Sequence, residues 1–181
     1  KWTDAFVAGI TGKLLPGKHS LTLLNADNNA AIMGIDYFQA LPATKFEAET
    51  LKVLEVQGGR VEVQPMEDFG SGWSGGAQCF FINECETGAL ALEVLMPSDG
   101  RRKVSVFYAQ APDYGMFQCS VDGVPLGQPF NGYAATVRRA DRVDYGEVEL
   151  SEGAHIFRFE CTGKDPASTA RFLGIDLVVI E

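Results

Sequence analysis

Period-two alternation, repeated in short runs and cut by turn residues, is what most limits the folds open to this chain. Arg60–Gln64 alternates as RVEVQ, and Gln78–Glu84 is aromatic and rich in β-formers. Leu90–Met96, Lys103–Gln110, Phe117–Val121, Glu147–Leu150, His155–Cys161 and Leu173–Ile180 follow. Between them stand Pro97-Ser98-Asp99-Gly100, Val121-Asp122-Gly123-Val124, Ser151-Glu152-Gly153 and Gly163-Lys164-Asp165-Pro166. Short strands at regular spacing with Gly and Asp turns predict an all-β sandwich or barrel. Asp122-Gly123 reads as a two-residue hairpin turn, because both residue types take positive φ. Phe46–Val56 is the one helical candidate, with Ala48, Leu51 and Leu54 at 3–4 spacing, and a strand is the preferred reading there.

A composition of 46% apolar and 22% charged residues supplies a real core. No apolar run approaches the ~18–20 residues of a membrane-spanning helix, so no membrane partner is expected. The net charge is −9; residues 1–44 hold three basic and three acidic residues, so the whole excess lies in 45–181. A phosphate backbone needs a basic footprint, so nucleic acid is not an expected partner either. Four Cys are too few for a disulfide scaffold, and Cys79, Cys119 and Cys161 read as small buried apolar residues. The chain opens Lys1-Trp2-Thr3-Asp4 without Met, which reads as a fragment or a processed product.

The chain carries an internal repeat. Leu15-Pro16-Gly17-Lys18-His19-Ser20-Leu21-Thr22-Leu23 precedes Gly34-Ile35-Asp36 in the same way that Leu150-Ser151-Glu152-Gly153-Ala154-His155-Ile156-Phe157 precedes Gly174-Ile175-Asp176. His19 and His155, the two His of the chain, occupy the same slot. Two tandem similar domains account for this. Residues 1–43 would be the C-terminal strands of the first, incomplete copy, and 44–181 a full β-sandwich module. Two strands alone are marginal. The first segment is therefore expected to sit on the main sandwich or pair with another chain.

The Gly-rich Phe69–Gly76 stretch matches both G-x-S-x-G and G-x-G-x-x-G, but Gln78-Cys79-Phe80-Phe81-Ile82 after it is a strand where either motif needs a helix. A Gly loop that presents Trp73 to solvent, for stacking on a flat ligand face, is the expectation. Asp113-Tyr114-Gly115 and Asn131-Gly132-Tyr133 place aromatic rings beside turn residues and polar groups, a composition suited equally to sugar recognition and to plugging the loops. The two His give no metal-ligand spacing. Arg101-Arg102-Lys103, Arg138-Arg139 and Arg142, interleaved with Asp141 and Asp144, read as solvated mixed-sign faces. Glu47 and Glu49 lie two apart, so on one strand both face the same way and repel unless neutralised. Calcium, a hard cation with oxygen ligands, would neutralise them, as would Lys45, Lys52 or Arg60. Asp176 joins if the first and last strands are neighbours.

Residues 45–181 resemble the β-sandwich carbohydrate-binding modules of families 6 and 35 and their galactose-binding-like relatives. The matching pieces are Phe46-Glu47-Ala48-Glu49, Ser71-Gly72-Trp73-Ser74-Gly75-Gly76 before a strand, and the turn and strand from Ser98 to Tyr108. The Val121-Asp122-Gly123 hairpin, the Leu150–His155 turn and the closing Gly174-Ile175-Asp176-Leu177-Val178-Val179 complete them. The resemblance implies a jelly-roll sandwich without catalysis. It implies a structural calcium held by Glu47, Glu49 and Asp176, and ligand loops at one tip carrying Trp73, Tyr114, Asn131, Tyr133, Lys164 and Asp165. It implies a polysaccharide or oligosaccharide partner, a neighbouring domain in a longer glycan-processing protein, and an extracellular or cell-surface location. The alternative is a structural or oligomerising accessory domain of a glycoside hydrolase, a homo-oligomer with no sugar binding of its own.

Overall fold

Alternation becomes two antiparallel sheets with one apolar layer between them. The computed structural model describes residues 45–181. The strands are β1 (Lys45–Glu47), β2 (Lys52–Gln57), β3 (Gly59–Pro65), β4 (Ala77–Asn83), β5 (Ala89–Met96) and β6 (Gly100–Gln110), then β7 (Met116–Val121), β8 (Val124–Asn131), β9 (Arg138–Arg139), β10 (Val143–Leu150), β11 (Gly153–Gly163) and β12 (Leu173–Ile180). One sheet runs β10-β6-β12-β4-β3, with β1 beside β12 and β9 beside β6; the other runs β2-β5-β11-β7-β8. This is the jelly-roll β-sandwich expected from the sequence. The incomplete first copy expected over 1–43, with His19 and the expected packing of that segment, lies outside the described residues.

The core follows the period of two. His155, Phe157, Phe159 and Cys161 are buried along β11 while Ala154, Ile156 and Glu160 point out. Phe117, Cys119 and Val121 do the same on β7. β12, the middle strand of its sheet, is buried at every residue. Cys79, Cys119 and Cys161 are buried free thiols, and Cys85 is exposed. Burial pushes the thiols of Cys79 and Cys119 up to about 12.

The Asp122-Gly123 hairpin forms as expected, with φ of 50° and 82°. His155 pins it: its Nδ1 bonds Asp122 Oδ2 at 2.6 Å and its Nε2 bonds the Ser151 carbonyl at 2.8 Å, while Ile156 N–H donates to Asp122 Oδ1. The single strand expected over Phe46–Val56 is instead two strands split by a 3-10 turn at Ala48–Thr50. Thr50 Oγ1 donates to the Glu47 carbonyl and Leu51 N–H to the Ala48 carbonyl, which holds the turn closed.

Candidate functional site

Two regions collect the residues singled out in the sequence. The first is a carboxylate pocket around the loop before β4. β12 pairs with β4 up to Ile175 and with β1 from Leu177 onward, and its register against β6 shifts between the same two residues. Asp176 sits at that handover, fully buried. Its Oδ1 accepts from Ser74 N–H at 2.8 Å, and its Oδ2 accepts from Arg139 Nε at 2.5 Å. Burial raises the Asp176 pKa, with the Glu47 carboxylate adding to the rise, while Arg139 and the Ser74 amide oppose them. Ser74 Oγ–H donates to Glu47 Oε1 at 2.7 Å. Gly75 lies at φ 62°, and a methyl group in place of its hydrogen would stand 2.6 Å from Glu49 Oε1 and 3.3 Å from Glu47 Oε2. The left-handed backbone favours glycine there, and a side chain would also push the Glu49 carboxylate aside.

The two glutamates therefore do converge, although not by sharing a strand face. The 3-10 turn after Glu47 turns the chain so that both carboxylates reach the Gly75 backbone. Glu47 Oε2 is buried with no hydrogen-bond partner. Among the described residues no group of three His, Cys, Asp or Glu side chains is gathered as a complete metal cage. Asp176 is neutralised by Arg139, whose guanidinium also lies 4.0 Å over the Phe107 ring. Arg139 was missed as a partner because it stands 37 residues away, inside a run of charges that reads as solvated. The neighbouring cations do follow that reading: Lys103 and Arg142 pair with Asp144, Arg101 with Glu147, Lys52 with Glu93, and Arg60 with Glu62 and Glu84.

The second region is the loop end of the sandwich, built from the segments before β4, between β6 and β7, after β8 and before β12. Its floor is a small apolar cluster of Ala109, Ala111 and Tyr114, against which Trp73, Phe80, Val137 and Phe172 pack. Tyr114 follows the loop-plug reading: its ring is buried, stacked on Phe80 at 5.9 Å, and its hydroxyl accepts from Gln78 Nε2 at 2.8 Å. Trp73 is corrected in part. Its ring is half-buried on the cluster rather than presented whole to solvent, and Nε1–H donates to the Phe69 carbonyl at 3.3 Å.

Asn131 lies against both Tyr133 and Asp165, and Lys164 turns to its own loop. Asn131 Nδ2 donates to Asp165 Oδ2 at 3.1 Å, and Asn131 Oδ1 accepts from Tyr133 N–H. Asp165 Oδ1 accepts from Ala167 N–H, and Lys164 Nζ donates to the Ser168 carbonyl at 2.6 Å. Gln110, Gln78 and Ser168, which the sequence reading passed over, lock the loops. Gln110 Nε2 donates to the Asn131 carbonyl, and Ser168 Oγ to the Tyr114 carbonyl at 2.8 Å. Tyr133 keeps part of its ring exposed and pairs through its backbone with Ala111, beside the cluster that carries Trp73. A Ser74–Asp–His155 triad is not assembled, since Ser74 bonds Glu47 while both His155 nitrogens are taken by Asp122 and Ser151.

Twelve strands in two facing antiparallel sheets define a jelly-roll β-sandwich. Solved structures carry the same fold. A xanthan lyase from Paenibacillus superposes at a TM-score of 0.69 with 20% identity, over 81% of this chain and 14% of that one. A family 26 β-(1,4)-mannanase from Podospora anserina that includes a family 35 carbohydrate-binding module superposes at 0.50 with 15% identity, over 77% and 27%. A family 35 carbohydrate-binding module from Paenibacillus barcinonensis aligns with 20% identity over 77% of this chain and 98% of that one, at a TM-score of 0.46. The chain thus shares the β-sandwich fold of part of the xanthan lyase, and it spans only about a seventh of that protein's length. No family model and no curated protein matches the chain.

Proposed function

We propose that residues 45–181 are a non-catalytic carbohydrate-binding module of a longer glycan-processing protein that works outside the cell or at its surface. The observation that carries this reading is the loop end. Trp73, packed on the apolar cluster, and Tyr133, bridged to Ala111 of that cluster, are both partly exposed, near the amide, ammonium and carboxylate of Asn131, Lys164 and Asp165. Ring faces stack on sugar C–H surfaces, while such polar groups bond hydroxyls. Binding would be weak per site, so several modules in one protein would gain by avidity.

A calcium ion belongs to the same proposal. The buried Glu47 Oε2 without a partner, and Glu49 Oε1 beside it at Gly75, suit a hard cation. Glu47 and Glu49 would hold it, with the rest of its shell from backbone carbonyls and water. Asp176, already paired with Arg139 and Ser74, would act as a second layer. When bound, the ion supplies charge neutralisation; the chain's own residues fix the Ser74–Gly76 loop through Ser74 Oγ and N–H.

Affinity electrophoresis of the full chain through gels containing xanthan or β-1,4-mannan tests the reading. Retardation that Tyr133→Ala abolishes supports it. Equal mobility in every gel, with the fold intact, favours the second reading, a structural accessory domain. The mutual bonding of Asn131 with Asp165 is the observation on that side.

A further inference from the structure

The strands at the edges of a sandwich present rows of backbone N–H and C=O groups to solvent, and such rows invite another strand. The edges here are not alike. β8 carries Pro125 and Pro129, β10 breaks register between Asp144 and Gly146, and β2 breaks between Val53 and Glu55. Prolines and bulges are the devices that blunt an edge. β3 has none before Pro65, its last residue: Gly59 to Pro65 run in unbroken register with Asn83 to Ala77. β3 also borders an apolar groove of about 510 Å³ between it and β2, lined chiefly by Leu51, Val53, Val56, Val61 and Val63. Val63 is 60% exposed and Val53 41%.

We infer that this edge joins two copies of the chain, β3 against β3, antiparallel about Val61. The register follows from geometry and charge. In an antiparallel pair, opposed residues either both turn their backbone groups toward the partner strand or both turn them away, and the two states alternate along each strand. Two identical strands about a two-fold axis therefore place the axis at a residue, not between residues. With the axis at Arg60 or at Glu62, that residue faces its own copy, like charge against like. With the axis at Val61, Arg60 faces the partner's Glu62 and Glu62 faces the partner's Arg60. Val61 faces the partner's Val61, and Val63 lies opposite the partner's Gly59, which has no side chain to obstruct it. Gly59, Val61 and Val63 share the inner face of the strand, and Val61 already packs partly on the core. The contact is isologous and closed, so it stops at a dimer.

Self-association through β3 uses none of the loop-end residues, so it stands or falls separately from sugar binding. The test is light scattering or sedimentation of the full chain over a concentration series. The wild type is expected to reach twice the 19.6 kDa chain mass. Arg60→Glu alone and Glu62→Arg alone each set two like-charge pairs across the axis and weaken the dimer by about tenfold, or about 1.4 kcal/mol. The double variant Arg60→Glu/Glu62→Arg recovers it. The two single variants mixed in equal amounts form a heterodimer tighter than either alone, because each then faces its complement; a misfolded variant would not do this. A chain that stays monomeric at every concentration overturns the inference, whether residues 1–44 or nothing covers the groove. So does a dimer indifferent to both single substitutions and to mixing.

Discussion

The carboxylate pocket and the loop end were both marked in the sequence as binding chemistry, and they differ in how their polar atoms are used. At the loop end, Asn131 bonds through both ends of its amide, Asp165 through both of its oxygens, and the Tyr114 hydroxyl is bonded as well. In the pocket, Glu47 Oε2 is buried and unbonded, and two glutamates converge on one glycine. A satisfied network rigidifies; an unsatisfied buried anion demands a partner. The loop end thus spends most of its polar atoms on itself, Gln78 Oε1 excepted, while the pocket keeps a buried carboxylate oxygen without a partner, on which the proposed cation rests.

The sharpest way to break that contrast is Arg139. It is the cation that already serves Asp176, which is wholly buried. Arg139→Met should cost about 3–5 kcal/mol in a urea titration, because it leaves a buried charge without its partner. Asp176→Asn in the same background should restore much of the loss. A cost below about 1 kcal/mol would mean that Asp176 draws on something else, and the division of labour between Asp176 and the two glutamates would fall.

Calcium comes next. A ligand that binds only the folded state stabilises it by ~2.7 kcal/mol at a hundred times its dissociation constant. For a domain of this size that is roughly 5–10 °C in melting temperature. Chelator should lower the melting temperature by that amount, and Glu47→Gln should abolish the difference. Equal melting temperatures in excess calcium and in chelator would remove the cation and leave the pocket with an unexplained buried oxygen.

The loop end predicts smaller changes, of packing rather than charge. Trp73 is half-buried on Tyr114 and Ala111, so Trp73→Ala should lose about 2 kcal/mol, against the near-zero loss that a solvent-presented ring would give. Asn131→Ala should lose about 1 kcal/mol with its bond to Asp165. Neither loss should depend on calcium. Thermal melts of each variant with and without chelator check both statements.

What could be read from the sequence divides along the same line. The strands with strong alternation stand where the pattern places them, Leu173–Ile180 to the residue. β8 was legible only at its start, because Pro125, Gly127 and Pro129 hide a strand that the sheet edge tolerates. The convergence of Glu47 and Glu49 was anticipated for the wrong reason, since period-two logic cannot foresee a 3-10 turn inserted after Glu47. The pattern left Tyr114 open between a ligand contact and a loop plug, because its neighbours, Asp113 and Gly115, look like a surface turn. The residues that bury it, Phe80 and Phe172, come from distant segments. Arg139 was missed for the same reason. Local pattern reports local structure, and a partner brought in by topology leaves no mark in it.

The smallest effect comes from the hairpin, whose polar atoms are bonded as fully as those of the loop end. His155 is nearly buried, with one ring nitrogen on Asp122 Oδ2 and the other on the Ser151 carbonyl. Burial alone would lower its pKa, but the Ser151 carbonyl and the Asp122 carboxylate outweigh it, and the net shift is upward. A raised histidine pKa means that the folded state holds the proton more tightly than the unfolded chain. The stabilisation is therefore complete below the unfolded value of about 6.5 and is lost as pH rises through the higher folded value. His155→Gln should flatten that part of the stability profile while leaving the acid limb, governed by carboxylates such as Asp144 at about 2, as it was. Urea titrations at closely spaced pH values measure it. The slope should be the same in calcium and in chelator, because His155 bonds none of the pocket residues. A slope that changes with chelator would mean that the cation reaches the hairpin, and that a pocket asking for charge and a network that needs none are not separable in this molecule.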